Sequence, residues 1–248
     1  MKIIDCVQGS YEWKLARVGV PTSSCFDNII TPKTHKASES ASKYMARLLA
    51  EWLIGEPIDD GYSKFMDRGK DLEAEAKNRL AFDMDLNLVQ VGFVTTNDGR
   101  AGCSPDSLVF DPERSEYVAG VEAKAPAAHT HAEYMLDPQS LANTYRCQIQ
   151  GCLWVTGLPK WYAVSYNPTM GTVIVEVARD EVFIGKLAAL VGAFNADLDK
   201  LKEANAAKRK FPRKPVERDE DPFAVNVPEM QTFTVEEIDE IARMMPDH

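Results

Sequence analysis

The sequence has no apolar run able to cross a bilayer. The longest, "VFIGKLAALVGAF", is too short and carries a lysine. It also lacks a basic stretch followed by an apolar one after Met1, so neither secretion nor a membrane anchor is expected, and the expected location is the cytoplasm. Cysteine is sparse and unpaired: Cys6, Cys25, Cys103, Cys147 and Cys152 are odd in number and form no CxxC pairs. That argues against a disulfide framework and against a zinc or iron–sulfur site, and fits buried thiols in a reducing compartment. Net positive charge is missing as well. With 28 Lys and Arg against 38 Asp and Glu, the formal net charge is −10, which argues against a surface coated in basic residues for nucleic acid. No internal repeat is present.

What remains is an ordinary globular composition, 45% hydrophobic and 27% charged over 248 residues. The charge is unevenly spread. Residues 1–50 hold seven basic side chains (Lys2, Lys14, Arg17, Lys33, Lys36, Lys43, Arg47) against four acidic ones (Asp5, Glu12, Asp27, Glu39), so the rest of the chain carries −13. A basic region on an acidic body is compatible with an anionic ligand held in one place.

Periodicity orders the elements. "SYEWKLARVGVPTSSCFDNIIT" predicts a short helix, a turn at Gly19 and Pro21, and a second helix beginning near Thr22 to Ser24. Helices are expected over about 41–54 and 64–82. The period then changes to strands: "LVQVGFVTT", closed by the hairpin signal Asn97-Asp98-Gly99, then "AGCSPDSLVF", a turn, and "YVAGVEAK". "DPQSLANTYRCQIQGCLWVTG" predicts a helix opening at its proline and ending at Gly157, followed by strands in "KWYAVSYNP" and "TVIVEVARD" and a helix over about 181–207. The order indicates an α+β fold around a mixed sheet. Residues 1–207 are expected to form a single domain, and 208–248 a charged C-terminal extension ending in a short helix, "TVEEIDEIARMM".

Three charges stand out because they interrupt strands that otherwise read as sheet core: Asp106, Glu122 and Lys124. Facing strands of a hairpin can converge Asp106 and Glu122, and Lys124 shares a strand face with Glu122. Two carboxylates and an ammonium around one point suit a hard cation such as Mg²⁺ and phosphodiester hydrolysis, with the amine orienting a water or offsetting transition-state charge. The plainer alternative is a cross-strand salt bridge on an exposed face.

The surrounding motifs narrow the choice. "SPD" (Ser104, Pro105, Asp106) followed by "VEAK" (Val121 to Lys124) resembles the PD-(D/E)xK nuclease superfamily. The ordered blocks "WKLARVGVPTSSCFDNII", "RGKDLEAEAKNRL", "GCSPDSLV", "GVEAKAP" and "YRCQIQGCLWVTGLPKWYAVSYNP" are similar to the lambda-type alkaline exonucleases, also called YqaJ-type viral recombinases. The resemblance implies a restriction-endonuclease-like core and a Mg²⁺-dependent 5′-to-3′ exonuclease. Such an enzyme degrades one strand of linear duplex DNA to mononucleotides, leaving 3′ overhangs for strand annealing in a bacterial cell. Mn²⁺ is expected to substitute, with two ions per site. Glu73, Asp106, Glu122 and the Ala123 carbonyl are implied metal ligands, Lys124 the water-orienting amine, and Gln148 and Tyr145 cleft residues. Arg17 and Ser24 are implied to bind the 5′ phosphate. A homotrimer and a single-strand annealing partner are implied by the family alone.

Bland readings stand beside several of these. Glu75 lies two residues from Glu73, about 200° round a helix, so both cannot face one site. Gln148 could be a buried structural amide and Ser24 a plain N-cap. His129 and His131 read as loop residues near the cleft, with a DNA contact allowed, since no third ligand accompanies them. "KRKFPRK" (Lys208 to Lys214) runs straight into "ERDED" and reads as a solvated linker. Two other functions are compatible with the motifs: a restriction or repair endonuclease of the same superfamily, and a non-catalytic DNA-end-binding protein.

Overall fold

Apolar and β-branched segments between residues 88 and 178 assemble one five-stranded sheet in a computed structural model, which describes residues 1–58 and 64–209, with side chains left out at 64–71. The helix expected in "TVEEIDEIARMM" lies outside the described residues. The sheet runs β2 (Leu88–Val89), β5 (Ser107–Asp111), β6 (Glu116–Lys124), β7 (Lys160–Asn167), β8 (Gly171–Ala178). Every neighbouring pair is antiparallel except β6 and β7, which run parallel with Glu122 opposite Ala163 and Lys124 opposite Ser165.

A parallel pair cannot be joined by a tight turn, so the chain must cross over. Residues 125–159 make that crossover with α4 (Ala128–Leu136), α5 (Pro138–Thr144) and α6 (Arg146–Thr156). Strand β6 is thereby covered on both faces. Leu108, Leu153, Trp161 and Ala163 pack with the core around α6 and α7 (Glu181–Ala204), while Val121, Ala123 and Val164 pack with Ala76 and Leu80 of α3 (Lys64–Met84). Mixed pairing with helices on both faces is the expected α+β arrangement.

Two expected strands are each broken in two. "LVQVGFVTT" turns from β2 into β3 (Phe93–Thr95), which belongs to a second sheet of order β1 (Lys2–Ile4), β3, β4 (Gly102–Cys103). The break falls where Gly92 passes the N-terminal segment: a Cβ there would meet the Cys6 carbonyl oxygen at 2.2 Å. "AGCSPDSLVF" splits into β4 and β5 at Ser104 to Asp106, because Pro105 has no N–H for a ladder. The Asn97-Asp98-Gly99 turn joins β3 to β4 as expected, with Gly99 at φ 72°.

Helix α1 (Tyr11–Ala16) starts on Ser10, whose hydroxyl accepts from the Trp13 N–H, and α2 (Ala41–Ile54) matches the expected span and stops at Gly55 in the left-handed conformation. The helix expected from Thr22 is instead a six-residue 3₁₀ segment, Ser23–Asn28. The single helix expected over residues 138–157 is two, α5 and α6, interrupted at Tyr145 (φ −101°, ψ 19°), although Gly157 does end the second. The segment read as a loop around His129 and His131 is helix α4.

Candidate active site

The break at Pro105 sets Asp106 just before β5, beside the C-terminal end of β6. Asp106 N–H donates to the Val121 carbonyl at 3.1 Å, and its Oδ2 accepts from the Ala123 N–H at 2.7 Å. These two main-chain bonds hold the carboxylate across from Glu122, so the expected convergence of the two acids is present.

Glu122 is 2% exposed. Its Oε1 accepts from Lys124 Nζ and, at 2.6 Å, from Gln148 Nε2, whereas its buried Oε2 has no hydrogen-bond partner among the described residues. Burial, then the nearby Asp106 charge, pushes the Glu122 carboxyl up to about 8 against the pull of Lys124. Burial also raises Asp106, with Lys124 and the Ala123 N–H acting the other way. For Lys124, burial favours the neutral amine, but Glu122, Asp106 and Glu73 together outweigh it and hold the ammonium above its ordinary value. The Lys124 ammonium also lies 5.4 Å from the Tyr145 ring centroid.

Glu73 reaches this cluster from α3, close enough for its charge to act on both Glu122 and Lys124. Glu75 turns away: it is exposed and accepts from the Tyr166 hydroxyl at 3.0 Å. Gln148 is not a buried structural amide, since it is half-buried and bonded to Glu122. Tyr145 and Gln148 share the cleft side, Gln148 on Glu122 and Tyr145 beside Lys124, but Tyr145 does so from the break between two helices.

A cluster of Asp106, Glu122, Lys124 and Gln148 with one uncompensated buried carboxylate oxygen fits a hard, oxygen-seeking cation. Among the described residues, however, no group of three or more His, Cys, Asp or Glu side chains stands at metal-binding spacing. His129 and His131 add nothing to such a group. They diverge on α4, His129 exposed and His131 fully buried with its Nδ1 2.8 Å from the Ser165 hydroxyl.

A second cluster lies on the other side of Pro105. Ser104 Oγ accepts from Arg17 NH1 at 2.8 Å and from Trp13 Nε1 at 2.9 Å. The Arg17 guanidinium stacks 4.3 Å from the Trp13 ring centroid, and NH2 points to Thr22 Oγ1 at 3.5 Å. Thr22 Oγ1 is in turn 3.4 Å from Ser24 Oγ, so Arg17 and Ser24 are brought together through Thr22. Burial lowers the Arg17 pKa from its ordinary value, with Cys25, Tyr44 and Glu51 opposing. Ser24 is not an N-cap: Thr22 holds that position and makes no side-chain cap bond.

The 3₁₀ segment carrying Ser24 is set by its packing on α6. A Cβ at Gly151 would lie 2.5 Å from Phe26 Cδ2 and 3.1 Å from Ser23 Cβ, so glycine is what permits the approach. Trp13, Thr22, Ser104 and Lys77, whose Nζ donates to the Asp106 main-chain carbonyl at 3.3 Å, are not among the site residues expected from sequence. Ser104 stands two residues before Asp106, and Lys77 one helical turn after Glu73, spacings that could have marked both.

Comparison with known proteins follows the same lines. The family model described as YqaJ-like viral recombinase domain matches residues 12–159. Similar solved structures include an alkaline exonuclease, LHK-Exo, from Laribacter hongkongensis, at 27% identity and TM-score 0.68, covering 80% of this chain and 97% of that one. LHK-Exo in complex with dAMP matches at 28% identity and TM-score 0.67, with 80% and 99% covered. A phage-related exonuclease from Haemophilus somnus 129PT, at 17% identity and TM-score 0.54 with 82% and 97% covered, shares the fold. No curated protein matches.

Proposed function

Because this chain belongs to the YqaJ-like viral recombinase domain family, we propose that it is a metal-dependent exodeoxyribonuclease that digests one strand of linear duplex DNA from its 5′ end. The observation that carries the reading is the buried Oε2 of Glu122, left without a partner beside Asp106 while Lys124 and Gln148 engage the other oxygen. Such an atom is costly in a finished protein interior and inexpensive in a site that takes a cation.

Asp106, Glu122, the Ala123 carbonyl and Glu73 would hold Mg²⁺, with Mn²⁺ as a substitute and two ions per site. When bound, the metal supplies Lewis-acid polarisation of the scissile phosphate and a more acidic water. The chain's own residues do the rest. Gln148 and Lys124 fix the Glu122 carboxylate, and Lys124, kept cationic by three neighbouring carboxylates, orients the attacking water and offsets charge as the phosphorane develops. Tyr145 walls the cleft beside that ammonium.

Arg17, Ser24 and Ser104 would receive the terminal 5′ phosphate: a guanidinium and hydroxyls are a good phosphate set, and Ser104 lies two residues from Asp106. Anchoring each new 5′ phosphate next to the acids would advance the strand one nucleotide per cut. Release of mononucleotides accords with a neighbour of the same fold that binds dAMP. The 3′ overhang would pass to a single-strand annealing protein, and the working form would be a homotrimer in the cytoplasm of a bacterial host, roles taken from the family.

The test is digestion of linear and circular duplex in Mg²⁺, with 5′-phosphate or 5′-hydroxyl ends. Linear 5′-phosphorylated DNA should be consumed and circles spared. Lys124→Ala should lower the rate at least ~100-fold. Equal cutting of circles would make this an endonuclease, and inert linear DNA would leave only end binding.

A further inference from the structure

We infer that Lys77 is a positioning residue for Asp106, clamping helix α3 to the Pro105–Asp106 break. Its Nζ donates to the Asp106 main-chain carbonyl at 3.3 Å, from a half-buried position one helical turn beyond Glu73 on α3. The same carbonyl accepts from the Ser107 hydroxyl at 2.6 Å. With the Asp106 N–H on Val121 and Oδ2 on the Ala123 N–H, every polar atom of Asp106 except Oδ1 is engaged in one of these bonds. Lys77 is the element of this set that comes from outside the β5–β6 pair. It therefore ties the acid before β5 to the helix that delivers Glu73.

The clamp matters because Asp106 sits where two sheets part, with β4 ending at Cys103 and β5 starting at Ser107. Strand pairing orients its N–H and one carboxylate oxygen but sets no distance to α3. A lysine from α3 sets that distance.

Position and charge give opposite signs for cation binding, which makes the role testable. Removing a nearby positive charge alone would strengthen binding of a divalent ion, whereas loosening a ligand weakens it. The inference rests on the proposed metal-dependent nuclease, so the experiment carries the wild type and Lys124→Ala as controls. Mn²⁺ binding to the DNA-free protein is followed by electron paramagnetic resonance, and kcat and KM are measured on 5′-phosphorylated linear duplex, for wild type, Lys77→Met and Lys77→Arg.

Lys77→Met should bind Mn²⁺ several-fold more weakly and lose ~10-fold or more in kcat with KM for DNA unchanged, a loss in keeping with about 1 Å of ligand misplacement. Lys77→Arg, which keeps a charged donor, should recover most of both. Tighter Mn²⁺ binding by Lys77→Met, or unchanged kcat, would overturn the positional role. A rise in KM alone would reassign Lys77 to DNA contact and equally overturn it. Loss of structure in Lys77→Met is read from its melting curve, and the Lys77→Arg result then decides. If the wild type itself shows no metal-dependent digestion, the proposed function has failed and not the clamp.

Discussion

The close approach at Gly151 yields a prediction that separates stability from phosphate recognition. In Gly151→Ala the new methyl would stand 2.5 and 2.8 Å from two carbons of Phe26 and 3.1 Å from Ser23 Cβ. Phe26 is fully buried and its ring is tilted against Trp154, 5.9 Å between centroids, so it has little room to turn. Restoring ordinary contact asks for about 1 Å of movement, and the part free to move is the 3₁₀ segment with Ser24 at its exposed side. Overpacking costs about 1–3 kcal/mol, offset by roughly 1 kcal/mol of helix propensity gained over glycine, so the urea midpoint should fall only slightly. A displacement of ~1 Å in a substrate-positioning element costs up to ~100-fold in rate. The assay is kcat/KM on otherwise identical linear duplexes bearing 5′ phosphate or 5′ hydroxyl. The first should drop ~10- to 100-fold and the second hardly at all, collapsing the preference. An unchanged ratio of the two ends would refute the idea that this segment holds the phosphate. A net gain in stability would refute the tight contact itself.

Ionisation gives a second prediction. The Glu122 carboxyl is raised from 4.5 to about 8, so the folded, metal-free protein holds a proton that the unfolded chain releases, and stability is lost as pH rises through that window. At roughly 1.4 kcal/mol per pH unit, stability should fall by about 2–3 kcal/mol between about pH 5.5 and pH 7.5, measured by urea unfolding in chelator as the difference from Glu122→Gln. Identical slopes for the two proteins would contradict it, and saturating Mg²⁺ should abolish the difference. A third concerns Ser104→Ala, which strips one acceptor from both Arg17 and Trp13. Stability should fall ~1–3 kcal/mol by thermal melting and the preference for 5′-phosphorylated ends should shrink, while a melt identical to wild type would show that water replaces the hydroxyl fully.

Much of the site was legible because its chemistry is concentrated in short segments. Asp106, Glu122 and Lys124 were readable as a hairpin constellation, and strand pairing delivers it. Glu73 and Gln148 needed the family pattern, since a helix and a strand distant in sequence share no local signal. What could not be read was where regular structure stops. Hydrophobic alternation in "LVQVGFVTT" continues across Gly92 although the chain changes sheet there, and the close approach that this glycine permits is to Cys6, far away in sequence. Apolar spacing likewise runs through Tyr145 although the helix does not, and His131 looked like loop because one short helix of mixed composition carries weak periodicity. Ser104 belongs to the SPD motif, yet its role as acceptor for two side chains from α1 and the turn after it depends wholly on tertiary placement.

The parallel register of β6 on β7 also governs when the candidate site can form. Glu122, Ala123 and Lys124 are opposite Ala163, Val164 and Ser165, and nothing before residue 160 can supply that pairing. Gln148, which fixes Glu122, arrives on the crossover itself. During synthesis the acids are therefore made long before the strand that seats them, and non-local parallel pairing is a slow, late event in folding. A ribosome-bound or truncated chain ending ahead of β7 would display the acidic hairpin without the strand that pairs with Glu122 and Lys124.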